Sequence, residues 1–236
     1  MREENIRTAM VLGEEAVKKL EGSRVAIFGV GGVGGYCAEA LARAGVGEIH
    51  LIDSDTVSLS NINRQIIALH STVGRYKTEV MRDRILDINP QAKVTVHNVF
   101  FSEENAQIFD FSAYDYVIDA IDSLASKVAL IALTKAAGCQ IISAMGAGKK
   151  LDPTRFEVED ISKTTVCPLA RAVRVALRKK GIEHLKVVYS KEMPTETVAD
   201  TDAEKCDGKR APGSLSFVPS VMGLIIAGEV IKDICK

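Results

Sequence analysis

The chain has no tryptophan, and aromatic residues make up only 5% of its 236 positions. That scarcity leaves too few rings for a stacking platform on which unpaired bases could lie. Cysteine is sparse and unpatterned: Cys37, Cys139, Cys167, Cys206 and Cys235 give an odd count with no Cys-x-x-Cys pair. A disulfide framework and a paired-cysteine zinc site are therefore both excluded. Long apolar runs are missing too, the stretch at 221–227 being far short of a bilayer span. The opening MREENIRTAM is charged rather than apolar, so no secretory leader is expected and the cytoplasm is the expected location. Neither charge sign dominates, with a formal net charge of −1, and any contact with nucleic acid must come from a local patch. No internal repeat or low-complexity tract is present.

What the chain does have is concentrated in residues 25–65. A short β-branched run, 25–28, leads into Gly29, Gly31, Gly32, Gly34 and Gly35, and then into Ala/Leu-rich helical sequence to Ala44. Strand, glycine turn and helix in that order allow a backbone to approach a phosphate closely, with helix N–H groups facing the anion. A second strand at 48–52 ends in Asp53, some twenty residues on, where a carboxylate can accept hydrogen bonds from a ribose. Ser60, Asn61, Asn63, Arg64 and Gln65 follow, and Lys77 lies beyond them. A nicotinamide site has no use for Arg64 and Lys77, whereas a triphosphate needs several positive charges.

The remaining pattern predicts one helix over 5–20 closed by Gly22, a helix over 77–88, a strand at 94–96 and another at 116–120. A helix at 127–137 and a strand at 140–143 follow. Alternation at 156–158 and 186–189 predicts two exposed strands that extend the sheet antiparallel, with a helix at 168–180 between them. A polar loop over 193–212 and a closing helix at 218–234 complete the chain. The expected fold is α/β: a doubly wound, Rossmann-like, mostly parallel sheet with an antiparallel extension. It forms one domain over 1–236, with a nucleotide-binding half (1–150) and a substrate and closing-helix half (151–236). Ligands of such sheets sit outside the carboxyl ends of the strands, where Gly31, Asp53 and Asp122 fall.

Arg171, Arg174, Arg178, Lys179 and Lys180 put five cations within ten residues with no acid among them. Such a face is either solvated or a contact for a phosphate backbone. Asp122 reads either as a magnesium ligand or as a cap of the following helix. The isolated cysteines read first as small buried hydrophobes, Cys206 least so because its surroundings are polar. His50 and His70 have no evident partner and read as structural.

The sequences GVGGVGG (29–35), DSD (53–55), NINRQ (61–65), Lys77 and DAIDS (119–123) together resemble the superfamily of ubiquitin-activating enzymes and their bacterial adenylyltransferase relatives. Within it, RTAMVLGEEA from Arg7, ALARAGVGEIHLID, YVIDAIDS with Lys127, and KTTVCPLA (163–170) are similar to the tRNA threonylcarbamoyladenosine dehydratases. Relatives that activate sulfur-carrier proteins usually hold zinc in two Cys-x-x-Cys pairs, which are absent here, and this favours the tRNA-modifying branch. The resemblance implies ATP contacts at Gly31, Gly32, Gly34, Asp53, Ser60, Asn61, Ile62, Asn63, Arg64, Lys77, Asp122 and Ser123. Arg64 and Lys77 would hold phosphates, Asp53 the ribose and Asp122 a Mg2+ ion. Arg7 would reach across a homodimer interface to the triphosphate.

The implied reaction is adenylation and cyclisation of threonylcarbamoyladenosine in tRNA. Some relatives carry a catalytic cysteine where Gly213 stands here; Cys206 is the nearby nucleophile candidate and Cys167 another, with a sulfur-relay protein as a partner. Three other activities belong to different expectations. An adenylyltransferase of a small sulfur-carrier protein would share the ATP site. An NAD-dependent oxidoreductase would leave Arg64 and Lys77 idle, and a nucleotide sensor would release no pyrophosphate.

Overall fold

The computed structural model describes residues 2–196 and 212–236, together with the backbone of 205–206 and 209–210. The side chain of Cys206 and most of the loop expected over 193–212 lie outside the described residues. The chain opens with α1 (Ile6–Leu12) and α2 (Glu14–Gly22). One helix was expected here, but Gly13 takes φ 88° and divides it. Only glycine adopts that conformation without strain, so the helical run breaks there. α2 buries Ala16, Val17 and Leu20, whereas α1 buries nothing.

Next come β1 (Arg24–Phe28), α3 (Gly34–Ala44), β2 (Glu48–Ile52), α4 (Lys77–Ile88), β3 (Lys93–His97), β4 (Tyr116–Asp119), α5 (Leu124–Ala136) and β5 (Gln140–Ala144). They are followed by β6 (Phe156–Asp160), α6 (Pro168–Lys179), β7 (Lys186–Ser190), the two-residue strands β8 (Lys205–Cys206) and β9 (Lys209–Arg210), and α7 (Phe217–Cys235). The main sheet has the order β3-β2-β1-β4-β5-β7-β6. Only the β6–β7 pair is antiparallel. The expectation of two exposed antiparallel strands therefore holds for β6 alone. β7 runs parallel to β5, with Ile142 opposite Lys186 and Ala144 opposite Val188, and Val187, Val188 and Tyr189 are buried. The crossover through α6 carries the chain back to lie parallel.

Alternation along the strands divides the core in two. Val25, Ile27, Ile49, Leu51 and Ile118 meet α3, α4 and α7 on one face. Ala26, Phe28, Ile52, Val117 and Ile141 meet α5, α6 and a group of phenylalanines on the other. Parallel strands buried on both sides require such near-continuous apolar runs. No helix among the described residues is long and apolar enough to cross a membrane. The strand order reverses at β1, which pairs with β2 on one side and β4 on the other. The crevice of a doubly wound sheet opens at that reversal, outside the carboxyl ends of β1 and β4.

Candidate functional site

The glycine turn fills this crevice because nothing larger fits. A Cβ on Gly34 would stand 1.8 Å from the Gly29 carbonyl oxygen, and one on Gly29, itself at φ 91°, would stand 2.6 Å from that of Ala120. The loop after β1 is thereby pressed against the end of β4. α3 starts directly from it with no side chain capping its first turn, so the helix presents backbone N–H groups and the positive end of its dipole to the crevice.

Asp53, at the end of β2, ties the neighbouring loop to this turn. Its Oδ2 accepts a hydrogen bond from Val30 N at 2.7 Å and its Oδ1 accepts one from Asp55 N at 2.9 Å. Burial pushes the Asp53 carboxyl above its usual range, against the pull of Lys77 and the two backbone donors. A carboxylate kept in a place that disfavours its charge is a mark of a functional site. Lys77 is the first residue of α4, where the helix dipole opposes a cation. Its side chain is 8% exposed, and its Nζ donates to Asp55 Oδ2 at 2.7 Å.

Segment 58–66 lies over the turn. Asn61 is buried, and its Oδ1 accepts from Ser58 N at 3.1 Å, while the Ser58 and Ser60 hydroxyls are 2.8 Å apart. Arg64 Nη1 donates to Ser60 O at 2.9 Å and to Asn63 Oδ1 at 2.8 Å. Asn63 Nδ2 donates to Ser214 O at 2.9 Å, which joins the segment before α7 to the site. A Cβ on Gly32 would meet Pro219 Cβ at 3.3 Å and the Arg64 carbonyl oxygen at 3.4 Å. Ile62 packs on the α3 side of the core. Ser60, Asn61, Ile62, Asn63, Arg64, Lys77, Asp53 and the glycines thus belong to one neighbourhood.

Two residues of the motifs, Gln65 and Lys127, are not among the expected ATP contacts. Gln65 is buried, its Oε1 has no hydrogen-bond partner among the described residues, and its Nε2 would lie 3.6 Å from a Cβ on Gly31. The second is beneath β4. Lys127 Nζ donates to Asp119 Oδ2 at 2.8 Å and to Ala144 O at 3.0 Å, and Asp119 Oδ1 accepts from Ile121 N at 3.1 Å. This buried ion pair fixes the turn that carries Asp122 and Ser123, where Asp122 is exposed and Ser123 precedes α5. The carboxylate and lysine of YVIDAIDS…K signalled it, but a lysine in a helical run reads as surface until burial is seen.

Other expected residues stand elsewhere. Arg7 is exposed on α1 and forms no hydrogen bond or ion pair among the described residues. Arg174 is held by the turn before α6, its Nη1 donating to Ile161 O at 3.1 Å and Thr164 O at 3.0 Å. Arg171 and Arg178 are exposed. Cys167 is buried at the start of α6, with its Sγ 3.7 Å from where a Cβ on Gly146 would be. No group of three or more His, Cys, Asp or Glu side chains among the described residues could hold a metal by itself.

Residues 3–236 match the ThiF family. The chain belongs to the ThiF family. Among its ThiF-family relatives, the tRNA threonylcarbamoyladenosine dehydratase of Bacillus subtilis (strain 168) is 45% identical over 239 residues, covering 98% of this chain and 94% of that protein. The dehydratase of Escherichia coli (strain K12) is 44% identical over 243 residues, covering 95% and 91%. The crystal structure of the E. coli enzyme, TcdA, in complex with ATP superposes with a TM-score of 0.88 at 37% identity, covering 99% of this chain and 94% of that one.

Proposed function

We propose that this protein is an ATP-dependent tRNA threonylcarbamoyladenosine dehydratase. The observation that carries the reading is the gathering of Asp53, Lys77, Arg64 and the uncapped start of α3 in one crevice, in a chain 45% identical to such a dehydratase over almost its whole length. Asp53 takes the ribose of ATP, and the backbone at Gly31, Gly32 and Gly34 approaches the phosphates. Arg64 and Lys77 neutralise them, exchanging their present oxygen partners for phosphate oxygens.

The carboxylate oxygen of the threonylcarbamoyl group attacks the α-phosphorus, an O–P bond forms, and pyrophosphate leaves. The modification's own nucleophile then bonds to the acyl carbon and AMP departs with the former carboxylate oxygen, so the nucleoside loses one water in total. Nucleophile and acyl carbon share one substituent, and closure has the high effective molarity of an intramolecular reaction. A relay through Cys206 or a sulfur-relay partner adds nothing to this balance, and Cys206→Ala is expected to keep activity.

Mg2+ suits the site because it binds through one or two carboxylates and substrate phosphates rather than an all-protein cage. Asp122 supplies such a carboxylate at the end of β4, and the ion when bound offsets charge on the phosphates. We also read the protein as a cytoplasmic homodimer. α1 exposes Ile6 (43%), Met10 (80%) and Val11 (83%), an apolar face that a second copy would cover, with Arg7 carried across to the partner's triphosphate.

The test is pyrophosphate release from ATP and Mg2+. It is expected with tRNA bearing threonylcarbamoyladenosine and not with the same tRNA lacking it. Release that depends instead on a sulfur-carrier protein would place the chain with the protein-activating adenylyltransferases.

A further inference from the structure

Residues 161–182 contain no Asp or Glu but six Lys or Arg. Elsewhere cations mostly meet carboxylates: Arg24, Arg43, Arg84, Lys93, Lys186 and Lys191 are each in an ion pair. Arg171, Arg178, Lys179 and Lys180 are all exposed and form no ion pair or side-chain hydrogen bond among the described residues. Four such charges on α6 and the residue that ends it, in a chain whose net charge is −1, make a local positive field that a polyanion would fill.

These cations border a cavity. A groove of about 850 Å³ runs along α6, with Arg171, Lys179 and Lys180 on its rim and Val128, Ala172 and Val175 among its walls. Val166, which also lines it, is 45% exposed at φ 63°. A β-branched residue rarely occupies the left-handed region, and such strain persists where the surroundings impose it, commonly beside binding sites. Cys167 joins the groove to the catalytic end of the sheet, since it lines the cavity and packs against Gly146 just beyond β5.

We propose that this groove is the RNA-docking surface. Arg171, Lys179 and Lys180 hold successive phosphates along about 13 Å of helix, and the apolar walls receive an unpaired base next to the modified adenosine. Sequence-tolerant apolar contact inside a groove suits a protein with few aromatics, and RNA is commonly read at unpaired nucleotides splayed from their stack. Arg174, tied to the turn before α6, shapes the groove and does not touch RNA. The inference rests on tRNA being the substrate, and it assigns the surface that binds it.

The experiment measures binding of tRNA carrying threonylcarbamoyladenosine to the full-length protein between low and physiological salt. Wild type is compared with the Arg171→Ala/Lys179→Ala/Lys180→Ala triple variant and with Val175→Glu, and ATP affinity reports the integrity of the fold. The triple variant is expected to bind roughly ten- to a hundred-fold more weakly, with a log–log salt slope reduced by about two to three. Val175→Glu is expected to weaken binding as well, and ATP affinity is expected to hold in both. Wild-type affinity and slope in the triple variant would overturn the assignment while leaving the dehydratase reading intact. If the triple variant keeps tRNA but loses an acidic sulfur-carrier protein, the groove docks protein instead. A wild type that binds no tRNA would bring down the substrate reading itself.

Discussion

Lys127 Nζ lies 2.8 Å from Asp119 Oδ2, and both side chains are fully buried. They join the end of β4 to the end of β5, because Lys127 also donates to Ala144 O at 3.0 Å. Removing one partner strands a charge in a low-dielectric interior. Lys127→Met is therefore expected to cost about 3–5 kcal/mol in urea unfolding. The double variant Asp119→Asn/Lys127→Met should recover part of that loss, since no charge is left stranded. A single variant as stable as wild type would show that the pair is dispensable.

Gln65 separates stability from binding. An unpartnered buried carbonyl oxygen costs about 1–3 kcal/mol, so Gln65→Leu, of similar size, is expected to leave the ligand-free protein as stable or slightly more so. Its amide stands beside Gly31, so the same change should weaken ATP binding several-fold. Calorimetric titration with ATP and a thermal melt of one preparation check both halves.

Arg64 and Lys77 are expected to act on the phosphates and little on the fold. Among the described residues Arg64 is held only by Ser60 O and Asn63 Oδ1, both of exposed residues, so Arg64→Ala strands no buried partner there. Loss of one such cation should lower adenylation about a hundred-fold or more, with the melting temperature nearly unchanged. Lys77→Ala should do the same to adenylation and also release Asp55, its partner at 2.7 Å.

Acid should weaken the anchoring of the closing helix as Asp233 protonates. Burial pulls the Asp233 carboxyl upward, yet hydrogen bonds from Lys186, Lys236 and Tyr116 hold it at about 2, below the ordinary 3.8. A lowered carboxyl contributes its stability above pH ~4 and loses it as the pH falls toward 2. Screening by solvent limits the contribution to the order of 1 kcal/mol. Asp233→Asn should thus lower the melting temperature at neutral pH and match wild type near pH 2.

The parallel sheet, the glycine turn and Asp53 were legible because each depends on local pattern. β-Branched runs mark strands, and glycines mark a turn that tolerates no side chain. Strand direction is not local, and so β7 was expected antiparallel when its alternation could not show that α6 returns it alongside β5. Gly13 leaves no break in the pattern because apolar residues keep helical spacing on both sides of it. Lys127 and Gln65 stand in the YVIDAIDS…K and NINRQ motifs, but residue order shows neither that the ion pair under β4 is buried nor that the Gln65 Oε1 has no hydrogen-bond partner among the described residues. Arg174 looks equivalent to Arg171 on the helix, and its partial burial and its bonds to the carbonyls of Ile161 and Thr164 and to the Thr164 hydroxyl distinguish them.

The most direct measurement is the mass of the nucleoside recovered after tRNA carrying threonylcarbamoyladenosine is incubated with the protein, ATP and Mg2+. The account requires a nucleoside lighter by one water, formed with one AMP and one pyrophosphate per cyclisation. An unchanged nucleoside, with ATP intact or consumed only when a carrier protein is added, would contradict it.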